Sequence, residues 1–224
     1  MCGRVTISAP REEISKYLYD YFSITEFDLN SYSPRYNITP SQDVLSIIND
    51  GENYRAGYLK WGFIPEYSKD SKSYIINTRS ETIDTKPSFK NSLINKRCII
   101  PVDGFYEWKK EQTKKTPMRI TMKDNSIFAL AGIWSTFIKD DASKIFTFSI
   151  ITTTANKLIN DIHDRMPVIL NHENIKLWLN PNNKDPQLLK SLLHPYSDST
   201  MITYEVSSEV NNPKNDYESL IEHI

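Results

Sequence analysis

Residues 97–108 read Arg97-Cys98-Ile99-Ile100-Pro101-Val102-Asp103-Gly104-Phe105-Tyr106-Glu107-Trp108. Two runs of β-branched and aromatic residues flank Asp103-Gly104, a turn dipeptide, so the stretch predicts two strands meeting at that point. Strand signals continue on both sides. Residues 44–48 and 54–59 read as strands. Residues 117–123 alternate, with Ile120 and Met122 between Arg119, Thr121 and Lys123. Residues 127–134 form a continuous apolar run, and 145–152 sets Phe146, Phe148 and Ile150 on one face. Helical spacing frames this block. Pro10 opens a helix over 10–22 carrying Ile14, Tyr17, Leu18 and Tyr21. Ala155, Leu158, Ile159 and Ile162 form a second stripe. Asn171 is placed to cap a helix with Ile175, Trp178 and Leu179, ended by Pro181, and Asp185-Pro186 opens another through Leu193. Residues 201–206 close the chain with a strand. Strands in the middle, helices at the sides and no βαβ alternation predict an α+β fold: one domain over 1–224, with a mostly antiparallel, twisted, barrel-like sheet core and flanking helices.

The composition narrows the function classes. The chain has 224 residues, 27 basic and 28 acidic, for a net charge of -1, and 39% of its residues are hydrophobic. No bulk positive field exists, so a nucleic acid would have to meet a local patch. Neither a membrane span nor a signal peptide is read, and two cysteines, Cys2 and Cys98, fit a reducing cytoplasm rather than a disulfide scaffold. No CxxC or HExxH motif points to zinc. Neither a metal nor an organic cofactor is expected.

Chemistry begins at Met1-Cys2-Gly3-Arg4. Removal of Met1 would leave Cys2 with an α-amine (pKa about 7.7–8.0) beside a thiol (about 8.5), both partly nucleophilic at neutral pH. The amine converts an aldehyde to an imine, and the thiol then closes a five-membered thiazolidine by an intramolecular step. The alternative for Cys2 is a small apolar side chain packed inside. Glu107 lies among aromatics on a predicted strand. It is either solvated or a desolvated acid–base group with a raised pKa. His163, in His163-Asp164-Arg165-Met166-Pro167, stands at a helix-to-strand junction and is either a working or a structural histidine. Asn77, in Asn77-Thr78-Arg79-Ser80-Glu81, either polarises a carbonyl or belongs to a capped turn. Residues 107–123 carry a net charge of +4. With Arg4, Arg79, Lys90, Arg97 and Arg165 they could line a groove beside Trp61, Phe63, Tyr67 and Trp108, a basic and aromatic pattern that suits a single strand. A solvated hairpin tip accounts for Lys109–Lys115 equally well.

Taken in order, these motifs resemble the SRAP family of SOS-response-associated peptidases, or abasic-site processing proteins. The match also takes in Arg35-Tyr36-Asn37-Ile38-Thr39-Pro40, Trp61-Gly62-Phe63-Ile64-Pro65 and Val210-Asn211-Asn212-Pro213-Lys214-Asn215-Asp216, nearly the full length. The resemblance implies binding of single-stranded DNA at an abasic site and a covalent link through Cys2, after the protein removes its own Met1. It makes Cys2 the nucleophile, Glu107 and His163 the proton-transfer residues and Asn77 the group that orients or polarises the reactants. Glu107 would open the ring-closed sugar, and His163 would protonate the departing sugar oxygen. Weak lyase activity is a plausible side reaction of the imine. Arg4, Arg79 and Arg165 are expected on DNA phosphates, and Asn37, Trp61, Lys90 and Trp108 complete the expected DNA contacts. Tyr67, Thr78 and Tyr217 stand where the family more often has Trp, Ala and Gly. The expected partner is abasic single-stranded DNA, with no obligate protein partner and no membrane. The expected location is the cytoplasm, at the nucleoid when DNA is damaged. The main alternative is an N-terminal-nucleophile amidohydrolase, in which Cys2 attacks an amide and Asn77 lines the oxyanion hole. A non-covalent single-strand binder and a conventional Cys–His protease are further rivals.

Overall fold

At Asp103 the chain passes from one sheet to another. The computed structural model describes residues 2–68, 74–111 and 114–224. In chain order its elements are β1 (Val5–Ile7), α1 (Arg11–Phe22), β2 (Arg35–Ile38), β3 (Asp43–Asn49), β4 (Tyr54–Trp61), β5 (Asn77–Arg79), α2 (Pro87–Asn95), β6 (Arg97–Val102) and β7 (Gly104–Glu111). They continue with β8 (Lys114–Met122), β9 (Phe128–Ile138), β10 (Lys144–Thr154), α3 (Lys157–Asn160), β11 (Arg165–Pro167), β12 (Ile169–Leu170), α4 (His172–Leu179), α5 (Pro186–Ser191) and β13 (Met201–Glu205). β6 pairs with β3 and β9, β3 with β4, and β4 with β10, which pairs back onto β9. These five strands therefore close a barrel, which removes their open edges. β7 instead joins a second sheet ordered β13-β8-β7-β1-β2, all antiparallel. The described parallel pairings are those of β10 with β4 and with β5.

The corner at 103–104 is built by side chains. The Asp103 carboxylate accepts from Thr6 Oγ1, the Ser8 N–H and hydroxyl, the Ala9 N–H and Arg119 Nη2. Gly104 is required beside it: a Cβ there would lie 2.8 Å from Arg119 Nε and 2.9 Å from Thr6 Oγ1. Arg119, expected on an outward basic face, is therefore buried, and so is Thr121. Both faces of this part of β8 are covered, which breaks the simple alternation. A continuous apolar core spans both sheets and includes Cys2, Trp61, Phe105 and Trp178, while a satellite of Tyr106, Val206, Val210 and Leu220 packs the C-terminal segment onto β7.

Most predicted elements form at their predicted places. Asn171 and Asp185 cap their helices by accepting from Asn174 N and Gln187 N. The 155–162 stripe yields only the single turn of α3, because His163 N–H and Ile162 N–H both turn back onto Ile159 C=O. β1, β2 and α2 are additions to the predicted set. α2 carries a readable signal: Pro87 at its start, then Phe89, Ser92 and Leu93 at helical spacing on the buried side.

Candidate active site

β1 places the chain start against Glu107. Val5 pairs with Phe105 and Thr6 with Gly104, and Tyr106 N–H donates to Arg4 C=O at 3.0 Å. Continued by two residues, this antiparallel run lays Cys2-Gly3 alongside Glu107-Trp108. Cys2 and Cys98 are both fully buried. Burial pushes the Cys2 thiol up, and the Glu107 charge pushes it further. With Met1 in place, the surroundings thus favour the protonated thiol.

Glu107 is 2% exposed. Desolvation is the main cause of a carboxyl raised to about 7, and the positive charge of the chain's amino terminus opposes that rise. A carboxyl there is half-ionised at neutral pH and is matched to both taking and giving a proton. Of the two alternatives read from the sequence, the solvated glutamate is excluded.

His163 lies just beyond α3, after Asp161 and Ile162. Its Nδ1 lies 3.0 Å from the Arg165 N–H and 2.9 Å from Asp164 Oδ1. One nitrogen cannot accept from the first and donate to the second. Burial lowers the His163 pKa, and the amino-terminal charge lowers it further. The neutral ring with Nδ1 accepting from Arg165 is therefore the state at neutral pH, and Nε2 carries the proton. The Asp164 charge acts on both His163 and Glu107, which links the two groups in space.

Asn77 opens β5, opposite Ile150 of β10. Both polar atoms of its carboxamide are buried, with no hydrogen-bond partner among the described residues. A buried amide left unpaired is costly, and such groups concentrate where a ligand completes them. The approach to Asn77 is rigid. Trp61 Nε1 donates to Ile76 C=O at 3.0 Å, and the indole stacks on Phe148 at 6.1 Å.

The expected DNA contacts divide into two groups. Arg79 and Lys90 are exposed, and Trp108 is half-buried. Trp61, Asn37 and Arg165 are committed inside the fold and correct the expectation. Trp61 is fully buried and cannot offer a face to a base. Asn37 is fully buried, and its amide donates to the carbonyls of Val210, Asn212 and Asn215. Arg165 is 9% exposed and gripped by both Glu81 carboxylate oxygens and Thr152 C=O. Arg4 donates to Asn37 Oδ1 and Val210 C=O and stacks over Trp108 at 5.4 Å, so its guanidinium is largely engaged. Arg97 caps α2 and α4 from inside, donating to the carbonyls of Leu93, Ile94, Trp178 and Asn180. These cations carry charge that a sequence reading assigns to a surface, while the fold uses it to satisfy buried acceptors. The residues overlooked are their partners. Glu81, for instance, meets Arg165 from 84 positions away.

Among the described residues no three metal-ligating side chains cluster, and no helix is long and apolar enough to cross a membrane.

Fold and site define an α+β barrel protein whose second residue, a cysteine, is buried against a carboxyl of raised pKa. Residues 1–213 match the SRAP family, SOS response associated peptidase, and the chain belongs to it. Abasic site processing protein YoqW of Bacillus subtilis (strain 168) is 50% identical over 226 residues, covering 99% of both chains. Abasic site processing protein YoaM of the same organism is 48% identical, over 99% of this chain and 98% of its own. A crystal structure of a protein from Bacteroides thetaiotaomicron, 27% identical, superposes with a TM-score of 0.87 over the whole of both chains.

Proposed function

We propose that this protein binds single-stranded DNA at abasic sites and joins it covalently through Cys2 once Met1 has been removed by the protein itself. The observation that carries the reading is the juxtaposition of Cys2 with Glu107, a desolvated carboxyl raised to about 7. Membership of a family with relatives named for abasic-site processing supplies the substrate class.

The abasic sugar rests mainly as a ring-closed hemiacetal. Glu107, as carboxylate, takes the proton of the anomeric hydroxyl and returns one to the ring oxygen, which frees the aldehyde. The buried thiol keeps its proton, so the α-amine of Cys2 attacks first and forms a carbinolamine. His163 acts as the imidazolium, its second proton on Nδ1 facing Asp164 Oδ1; it gives the Nε2 proton to the departing hydroxyl, which leaves as water, and the carbinolamine N–H proton returns to His163 as the imine forms. The Asn77 amide donates to the reacting oxygen along this path, which satisfies its buried N–H group. The Cys2 sulfur then adds to the imine carbon while the thiol proton passes to nitrogen. One water is released overall, no oxidant is needed, and the product is a thiazolidine. Loss of a sugar C2 proton from the imine, before ring closure, is the route to weak lyase activity. Arg79 and Lys90 are the cations exposed to track the strand.

The test is a denaturing gel shift with abasic single-stranded DNA. Cys2→Ala abolishes the stable adduct. Cys2→Ser keeps the amine and yields only an imine that borohydride traps. A Cys2→Ala protein that crosslinks at the wild-type level refutes the assignment, as does active protein whose intact mass still includes Met1. Glutamine hydrolysis without an aldehyde-dependent adduct would favour the amidohydrolase instead.

A further inference from the structure

The chain's last twenty residues reach back to both partners of the site. Trp108, next to Glu107, donates from Nε1 to Asn211 Oδ1 at 2.6 Å. Arg4, two residues after Cys2, donates to Val210 C=O and to Asn37 Oδ1 and lies over the Trp108 ring. Asn37 in turn binds three carbonyls of the same segment, those of Val210, Asn212 and Asn215. Asp216 fastens the far end, accepting from Tyr36 N at 2.6 Å, from Asn37 N at 3.0 Å and from Arg35 Nε.

The anchorage is thus continuous from Asp216 through β2 to Arg4 and Trp108. The short β1 pairs through residues 5–7, and one further backbone bond, from Tyr106 N–H to Arg4 C=O, reaches residue 4. Cys2 and Gly3 lie just outside the strand, with the Cys2 side chain packed in the core. Arg4 is the residue that ties this start both to β7 and to the 210–216 segment.

We propose that residues 210–216 form a strap that positions the reacting pair, with Asn211 and Arg4 as positioning residues for Cys2 and Glu107. This rests on the covalent reaction proposed above. The strap keeps the terminal amine and thiol pointed at the same carbon that Glu107 and His163 serve, so that both bonds of the ring form from one geometry. Misplacement by a fraction of an ångström slows such intramolecular steps without weakening DNA binding.

Asn211 is exposed, so its replacement spares the core. The experiment measures the single-turnover rate of adduct formation at saturating abasic single-stranded DNA. In parallel it measures non-covalent affinity for a strand carrying a tetrahydrofuran abasic analogue, together with the melting temperature. Asn211→Ala is expected to slow the saturated rate by about 3- to 10-fold, the value of one hydrogen bond, with affinity and melting temperature unchanged. Asn211→Asp keeps the acceptor for Trp108 and restores the rate. Arg4→Lys keeps the charge but loses the two-acceptor fork, and it is expected to slow the saturated rate more than it weakens affinity. An Asn211→Ala protein that crosslinks at the wild-type rate overturns the strap. So does an Arg4→Lys protein that loses affinity alone, which would make Arg4 a phosphate contact. Failure of the wild-type protein to crosslink at all would instead overturn the proposed function.

Discussion

Asp103 and Glu107 sit four residues apart at the start of the same sheet, both buried, and the fold treats them in opposite ways. The Asp103 carboxylate accepts from four donors and from Arg119, which lies between it and Tyr204. Its charge is spent on joining two sheets. Glu107 sits where burial dominates and its proton is held to about 7. The difference teaches that burial alone does not mark a catalytic acid. What matters is whether the surroundings stabilise the ionised form or leave it near balance with the neutral one.

The largest expected effect tests the Glu107 half of this contrast. Glu107→Gln should slow adduct formation by about 10²- to 10⁴-fold, with affinity for an abasic analogue retained. It should also erase the limb of the pH–rate profile that rises through about pH 7. Loss of binding instead would make Glu107 structural. Next comes Asp103→Asn, which leaves Arg119 charged and buried without its counter-ion. Urea denaturation should show a loss of about 3–5 kcal/mol, and a well-folded variant of wild-type stability would break the comparison.

A third outcome follows from the same raised carboxyl. Glu107 ionises near 4.5 when unfolded and at about 7 when folded, so the native state keeps a proton that the unfolded chain has lost. Stability therefore falls as pH rises across that window and levels off above it, by an amount on the order of 3 kcal/mol. Glu107→Gln should unfold at higher urea than wild type at pH 8 and match it at pH 4. Equal urea midpoints at pH 8 would show that Glu107 is not desolvated. A smaller effect is expected at Glu81, held below the usual carboxylate range by its Arg165 hydrogen bonds. Its side chain is 46% exposed, so Glu81→Gln should cost only about 1 kcal/mol. The smallest effect belongs to the exposed cations. Arg79→Gln and Lys90→Gln should each reduce the salt dependence of single-strand binding by about 0.7 in the log–log slope, leaving the saturated crosslinking rate unchanged.

Strands β3, β4, β6, β7, β9 and β10 were legible because long apolar or alternating runs leave few other ways to bury them. α1, α4 and α5 were legible because Pro10, Asn171 and Asp185 mark their starts. β1 and β2, of three and four residues, carry too little pattern to be read locally. They form because β7 and the C-terminal segment offer them partners. The candidate site was visible as separate motifs, each with a credible ordinary explanation. Trp61, Asn37 and Arg165 were misplaced because side-chain type says nothing about which partner arrives from elsewhere in the chain.

The amino-acid order by itself determined the α+β class and the switch at Asp103-Gly104, and it supplied the candidates for the proposed reaction, all of which depend on near neighbours or on intrinsic chemistry. Only the tertiary structure decided that the barrel closes through β9 and β10, that Cys2 is buried, and that Glu107 is desolvated enough to raise its carboxyl to about 7. Those outcomes depend on local polarity and on contacts between residues distant in sequence, and neither exists until the chain has packed.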